Sequence, residues 1–215
     1  MIEGLEFDKK THIYTYKGKR VLSVTSVLPD IPEHLLYKQF FIDKTLLGNR
    51  VHSYVDIINK HYMKYRRIPD RKVYEGRNFL ESDAPYVEAY LKFINEHMPE
   101  IKMSEKQLFD REHFYAGTMD LVAKRKGKLS IADCKTTSVI APYAKLQLAA
   151  YTRMYNNHCP DDPAFNRYII HLKPDTEFKL VPYPVKSLKE DFDEFYHKLR
   201  SAQWDAVNMG SKYNA

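Results

Sequence analysis

Two cysteines, Cys134 and Cys159, are the only thiols among 215 residues. That excludes a four-cysteine zinc or iron–sulfur site held within one chain, and it gives no disulfide framework. No apolar run reaches the roughly 18 residues that a membrane-spanning helix requires, so no membrane partner is expected. The opening MIEGLEFDKK is charged where a secretory signal would be apolar. No G-x-x-x-x-G-K-[ST] stretch occurs, which removes a P-loop motor and its nucleotide cofactor. Internal repeats and low-complexity tracts are missing as well. These absences predict an intracellular globular protein in reducing surroundings.

What is present is ordinary in bulk and unusual in detail. Hydrophobic content of 44% with 29% charged residues suits a globular chain, and 215 residues suffice for one domain with a sizeable core. A net charge of +6 and a pI near 9.0 are compatible with a polyanionic partner but do not specify one. Seventeen Tyr and eleven Phe offer stacking surfaces for unpaired bases, and they equally offer material for a core.

The hydrophobic pattern divides the chain. HIYTYKGKRVLSVTSVL reads as two strands around Lys17-Gly18, and Pro29 and Pro32 then break the chain. From Glu33 to Tyr65 the period is helical, with Leu46, Leu47, Val51, Val55 and Ile58 on one stripe. Residues 66–77 read as a charged loop. Pro85 fits the first turn of a helix running to His97. After Pro99 three strands form a meander with its second turn at Lys126-Gly127-Lys128. A helix over Pro142–Asn156, two further strands, and a last helix capped by Ser187 and Glu190 complete the chain. The predicted class is α+β (mixed α/β), with one central mixed sheet flanked by helices and preceded by a helical region. A single domain over 1–215 is expected: strands in 1–30, a helical wall in 31–98, a core in 99–206 and a frayed tail in 207–215.

Chemistry concentrates between Glu105 and Tyr151. Asp120 lies on the second strand of the meander and Asp133 on the third, so a hairpin can make their carboxylates neighbours. Two carboxylates brought together repel, and a hard divalent cation such as Mg²⁺ or Mn²⁺ relieves that repulsion. Residues i and i+2 of a strand share a face, so Lys135 projects with Asp133 while Cys134 points away. Lys135 is then placed to act on an attacking water or to offset phosphate charge. The Cys134 backbone carbonyl is an available further ligand, and Glu105 can reach the same patch. Gln147 and Tyr151, four apart on a helix, share a face and can meet a substrate backbone or support Lys135. Each of these residues alone also fits an ordinary strand or helix surface, and the ordered set is what points to metal-assisted phosphodiester chemistry.

The series Glu105…GTMD(120)…IADCK(135)TT…Gln147-Leu-Ala-Ala-Tyr151 resembles the core of the PD-(D/E)XK nuclease superfamily in its RecB-like branch. GNRVHS supplies the Gly48 and His52 of that branch's G-x-x-H element, and SVTSVL fits the pattern of phage-type and mitochondrial genome-maintenance exonucleases. The resemblance covers about residues 20–155. It implies that Asp120 and Asp133 bind Mg²⁺ or Mn²⁺ with help from the Cys134 carbonyl. It also implies that Lys135 is the catalytic lysine, that Glu105 binds metal or water, and that His52 is a further ligand. Gln147 and Tyr151 match the supporting motif. His113 and His171 have no such support and read as structural or surface residues. Relatives that carry an iron–sulfur cluster use four cysteines, and this chain departs from them.

The implied activity is hydrolysis of DNA phosphodiesters in replication, recombination or repair. Tyr37, Lys38, Phe40, Phe41, Lys44, Arg50 and Tyr54 interleave cations and rings upstream of the core. That mixture suits a single strand, with phosphates held by cations and bases stacked on rings, and it also suits an amphipathic helix with a solvated basic face. As an arch or wall over the site, this region would admit free DNA ends better than internal bonds, hence an exonuclease. A structure-specific endonuclease and a non-hydrolytic nucleic-acid-binding protein on the same fold are the alternatives.

Overall fold

A computed structural model describes residues 2–28, 39–76 and 79–208. Among the described residues the strands are β1 (Leu5–Asp8), β2 (Ile13–Tyr16), β3 (Lys19–Ser23), β4 (Glu100–Asp110), β5 (Tyr115–Arg125), β6 (Lys128–Lys135), β7 (Asn166–Leu172) and β8 (Phe178–Tyr183). They form one sheet in the order β1-β2-β3-β5-β6-β7-β8, with β4 paired to β5 off that path. The β3–β5 and β6–β7 pairs are parallel and the others antiparallel. This is the mixed α/β arrangement expected, with one sheet between helices.

The helices are α1 (Val24–Val27), α2 (Gln39–Tyr65), α3 (Arg71–Tyr74), α4 (Ala84–His97), α5 (Ala144–His158) and α6 (Leu188–Asn208). Val51, Val55 and Ile58 of α2 pack with Tyr90 and Phe93 of α4 on Leu121, Ala132 and Ile170 of the sheet. On the opposite face Leu146, Ala149 and Met154 of α5 pack with Phe195 and Leu199 of α6 on Met119, Ile131 and Ile169. Burying both faces of the central strands explains their near-continuous apolar composition. Among the described residues no helix is long and apolar enough to cross a membrane.

Local chemistry departs from the hydrophobic pattern in three places. SVTSVL does not continue a strand. The Ser23 hydroxyl accepts from the Ser26 N–H while the Ser26 hydroxyl accepts from the Ser23 N–H, a capping box that starts α1 at Val24. The 66–77 segment contains the short helix α3, which buries Tyr74. Ser187 does precede α6, but its hydroxyl has its one proton within reach of Pro184 O and Asp191 Oδ2, and it accepts from the buried Arg167 of β7. Arg167 also pairs with Asp191 at 2.9 Å, which ties the start of α6 to the sheet. Residues 209–215 of the expected frayed tail lie outside the described residues.

The sheet opens at one point. β4 runs along one edge of β5 for nearly its whole length, from Asp110↔Tyr115 to Glu100↔Lys124. The other edge is shared: β3 takes Tyr115 and Ala116, and β6 takes Leu121 to Arg125. Gly117 to Asp120 face the gap between β3 and β6. The ring of Tyr151 enters that gap, and a Cβ on Gly117 would lie 2.8 Å from its Cε1 and 3.2 Å from Val24 Cγ2. Glycine is required there by close approach, not by backbone angle.

Candidate metal and nuclease centre

Where β5 and β6 part, their last paired residues are Leu121 and Ala132, and the next position out on each strand is Asp120 and Asp133. The parting frees the Cys134 N–H, and Asp120 Oδ2 accepts it at 2.8 Å, a side chain replacing a ladder bond. The alternation of side chains also slips here. Met119 and Val122 pack in one layer, while Leu121 and Ala123 pack in the other. Across the β4–β5 ladder, Ser104↔Leu121 and Lys106↔Met119 put Glu105 opposite Asp120. Glu105 has φ +47°, the left-handed region, at a cost of order 1–3 kcal/mol for a residue with a Cβ. Backbone irregularity therefore falls on both carboxylate positions.

The fourth element is α2. His52 Nδ1 lies 3.3 Å from Asp120 Oδ2 and 3.6 Å from Glu105 Oε1. Its delivery follows from helical spacing: His52, Asp56 and Asn59 fall on one face at i, i+4 and i+7. Asn59 Nδ2 donates to Ser104 Oγ at 3.1 Å, and Ser104 donates to Asp56 at 2.9 Å. The Tyr90 hydroxyl closes the network on Asn59 Oδ1. Because Ser104 adjoins Glu105, this network sets α2 against β4 in the register that brings His52 to the carboxylates. Asp56, Asn59 and Ser104 were not singled out from the sequence, although the His52/Asp56/Asn59 spacing is a readable signal.

Asp133 and Lys135 share a face as the strand rule requires, with Lys135 Nζ 2.7 Å from Asp133 Oδ2. Gln147 of α5 donates to Asp133 Oδ1 at 3.1 Å and lies 3.4 Å from the Tyr151 hydroxyl. Cys134 points away: its thiol is buried among Leu121, Ala132 and Ile170. Among the described residues, Asp133 Oδ2 has no polar partner apart from the Lys135 ammonium, although it is buried.

The electrostatics are set by burial against charge. Burial and the neighbouring Asp120 carboxylate push Asp133 up to about 6, against the pull of Lys135 and His52. Burial also raises Glu105, with His52 opposing. For Asp120 burial works upward, but His52, Lys135 and the Cys134 N–H together hold it below the ordinary value. Burial works to lower His52, and Asp120 and Glu105 carry it well above 6.5. Lys135 behaves alike: burial lowers it, and Asp133 and Asp120 outweigh burial. Lys135 therefore stays charged at neutral pH beside Asp133, and His52 is held protonated by Asp120 and Glu105 until a cation takes the place of its proton.

His52, Glu105 and Asp120 place one donor atom each within 4.8 Å of one another. One imidazole and two carboxylates fit a divalent ion that accepts nitrogen and oxygen, as Mn²⁺ does, and the carboxylates alone fit Mg²⁺. Asp133 stands beside this set, held by Lys135 and Gln147. A second group, Asp110, Glu112 and His113, is also compact. There Arg153 already supplies the cation, 2.6 Å from Glu112 and 3.8 Å from Asp110. His171 bonds the Thr137 carbonyl at 2.6 Å.

The centre opens into a cleft of about 880 Å³. One wall is the polar stripe of α2, including Lys44, Gly48, His52, Asp56 and Lys60. Of the cation and ring set expected on this region, Lys44 alone stands in the cleft wall among the described residues. Arg50 faces elsewhere: its guanidinium makes a two-pronged pair with the buried Asp83, at 2.6 and 2.8 Å. Tyr54 is buried beside Phe79 and is not a stacking surface. Tyr37 and Lys38, and the side chains of Phe40 and Phe41, lie outside the described residues.

No family model matches the chain, and no curated protein matches it. Among solved structures, a candidate exonuclease from Eubacterium rectale aligns with 13% identity and a TM-score of 0.47, over 74% of this chain and 65% of that one. The protein SSO0001 aligns with 13% identity and a TM-score of 0.31, over 75% of this chain and 88% of that one. The chain thus spans about 65% of the length of the first. Likeness this distant leaves the chemistry of the cleft to be argued from its own geometry.

Proposed function

We propose that the protein is a Mg²⁺- or Mn²⁺-dependent deoxyribonuclease that hydrolyses phosphodiester bonds from free ends, with single-stranded DNA favoured. The observation that carries this reading is that His52, Glu105 and Lys135 line one cleft with the buried Asp120 and Asp133 carboxylates directly bonded to them from behind. The sequence resemblance to RecB-like nucleases supports it.

In this reading His52, Glu105 and Asp120 would hold the ion, with Asp133 and the Cys134 carbonyl as further donors on the β6 side. When bound, the ion supplies positive charge that polarises the phosphoryl group. Lys135 keeps its proton and meets a phosphate oxygen, where its charge offsets the negative charge that develops as the bond breaks. Of the two roles open to a lysine here, base or cation, its raised pKa favours the cation. Asp133, pushed up to about 6 by burial and the neighbouring Asp120 carboxylate, would be held ionised by a bound cation, so its role is that of a ligand and not of the proton acceptor. Gln147 holds Asp133 in place through Oδ1, and Tyr151 fixes Gln147.

The wall that α2 forms along one side of the cleft is the basis for proposing attack at ends. Digestion of end-labelled linear DNA against a covalently closed circle of the same single-stranded sequence tests it. Linear DNA should be consumed to mononucleotides or short oligonucleotides while the circle persists. Equal loss of the circle would indicate an endonuclease, and binding without cleavage under any metal would indicate a nucleic-acid-binding protein.

A further inference from the structure

One wall of the cleft belongs neither to the strands bearing the carboxylates nor to α2. It is the β1–β2 hairpin, whose Phe7, Lys9 and His12 face the same space as His52 and Lys135. The hairpin tip is built tightly. Asp8 accepts from the Lys10 N–H at 2.8 Å and from the Thr11 hydroxyl at 2.9 Å, and His12 follows with φ +55°. Its rings form a ladder. His12 stands edge-on to Phe7, with centroids 5.8 Å apart, and Phe7 stacks on Tyr14 at 4.4 Å. The ladder ends at the centre, since the Tyr14 hydroxyl lies 2.6 Å from Thr118 Oγ1, two residues before Asp120.

A core does not need this arrangement. His12 is exposed, holds a backbone conformation that costs a non-glycine residue energy, and sits beside the exposed Lys9. An exposed ring anchored through two others to a strand bearing site carboxylates is instead what a base-stacking platform requires. Stacking accepts any base, because every base has a π-face, and it leaves the phosphate free for cations.

We propose that the His12–Phe7–Tyr14 ladder is the platform on which an unpaired terminal base of the DNA strand stacks, with Lys9 on an adjoining phosphate. This deepens the nuclease reading and rests on it. The platform sets the preference for a single strand and fixes where the end lies relative to Asp120 and Lys135.

The test uses the full chain in EDTA, where binding is read without turnover, by fluorescence anisotropy of a labelled oligothymidylate. His12→Asn removes the ring while suiting the left-handed backbone, and it should weaken binding about tenfold or more. His12→Tyr keeps a stacking ring and should bind within about twofold of the parent. A blunt duplex of equal length should bind more weakly than the single strand and be little changed by His12→Asn. Parental affinity in His12→Asn, an equal loss in His12→Tyr, or an equal loss on the duplex would each overturn the platform. Thermal melts of both variants confirm that they are folded. Failure of the unsubstituted protein to cleave DNA with Mn²⁺ sinks the nuclease reading separately. Normal cleavage with unaffected His12→Asn binding sinks the platform alone.

Discussion

Asp133 is a buried carboxylate under electrostatic tension. It is 1% exposed, neighbours Asp120, and is pushed up to about 6. A carboxyl whose folded pKa is raised keeps a proton that the unfolded chain has lost. Its contribution to stability is thus present below the unfolded value of about 3.9 and is lost as pH rises through about 6. In chelator-treated protein, part of the fall in melting temperature between pH 4 and 7 should come from this group. Melts of the parent and Asp133→Asn across that range check it: the variant should show the shallower slope, and equal slopes would contradict the assignment. Lys135 and Asp133 were legible as a pair because strand periodicity alone puts i and i+2 on one face. His52 was legible through the resemblance, and the His52/Asp56/Asn59 spacing marks its helix face without saying that α2 crosses β4 at Glu105. Arg50 was misread for the same reason. Its cationic type fitted a DNA contact, and only the fold shows that the buried Asp83 takes it.

At the level of elements, the centre depends on two junctions. The first is α2 on β4, where Asn59 links Ser104 to the buried Tyr90 hydroxyl. Asn59→Ala leaves that hydroxyl without its partner and should cost about 1–3 kcal/mol in chemical denaturation. It should also weaken metal binding by loosening His52, and an unchanged metal affinity would remove Asn59 from the positioning role. The second junction is the gap in β5 filled by Tyr151. Gly117→Ala forces a Cβ to 2.8 Å from that ring and should cost about 1–3 kcal/mol by overpacking, again read by denaturation. Strand and helix order from Pro99 onward was readable from hydrophobic period and turn residues. The parting of β5 and β6 was not, because it arises from β3 competing for the same edge of β5, a pairing distant in sequence. SVTSVL was misjudged as strand because its serine hydroxyls, not its β-branched residues, decide the local backbone.

Across the whole molecule, the net charge of +6 matters through its placement. Lys9, Lys44 and Lys60 all border the cleft. If three such cations neutralise phosphates of one strand, log affinity should fall against log salt with a slope of about −2. Anisotropy across a salt series measures this, and a slope near zero would mean that the charge lies off the binding path. The sheet, the helical layers and the polar stripe of α2 converge on the cleft that holds His52, Glu105 and Lys135.

The most direct test of the central claim is cleavage of end-labelled single-stranded DNA by metal-stripped protein, with Mg²⁺ or Mn²⁺ added back, for the parent and for Lys135→Ala. Cleavage should be absent in EDTA and recover fully with metal. Lys135→Ala should lose about 100-fold or more of the rate, with DNA binding retained. Cleavage that persists in EDTA, or a Lys135→Ala variant as active as the parent, would contradict that claim.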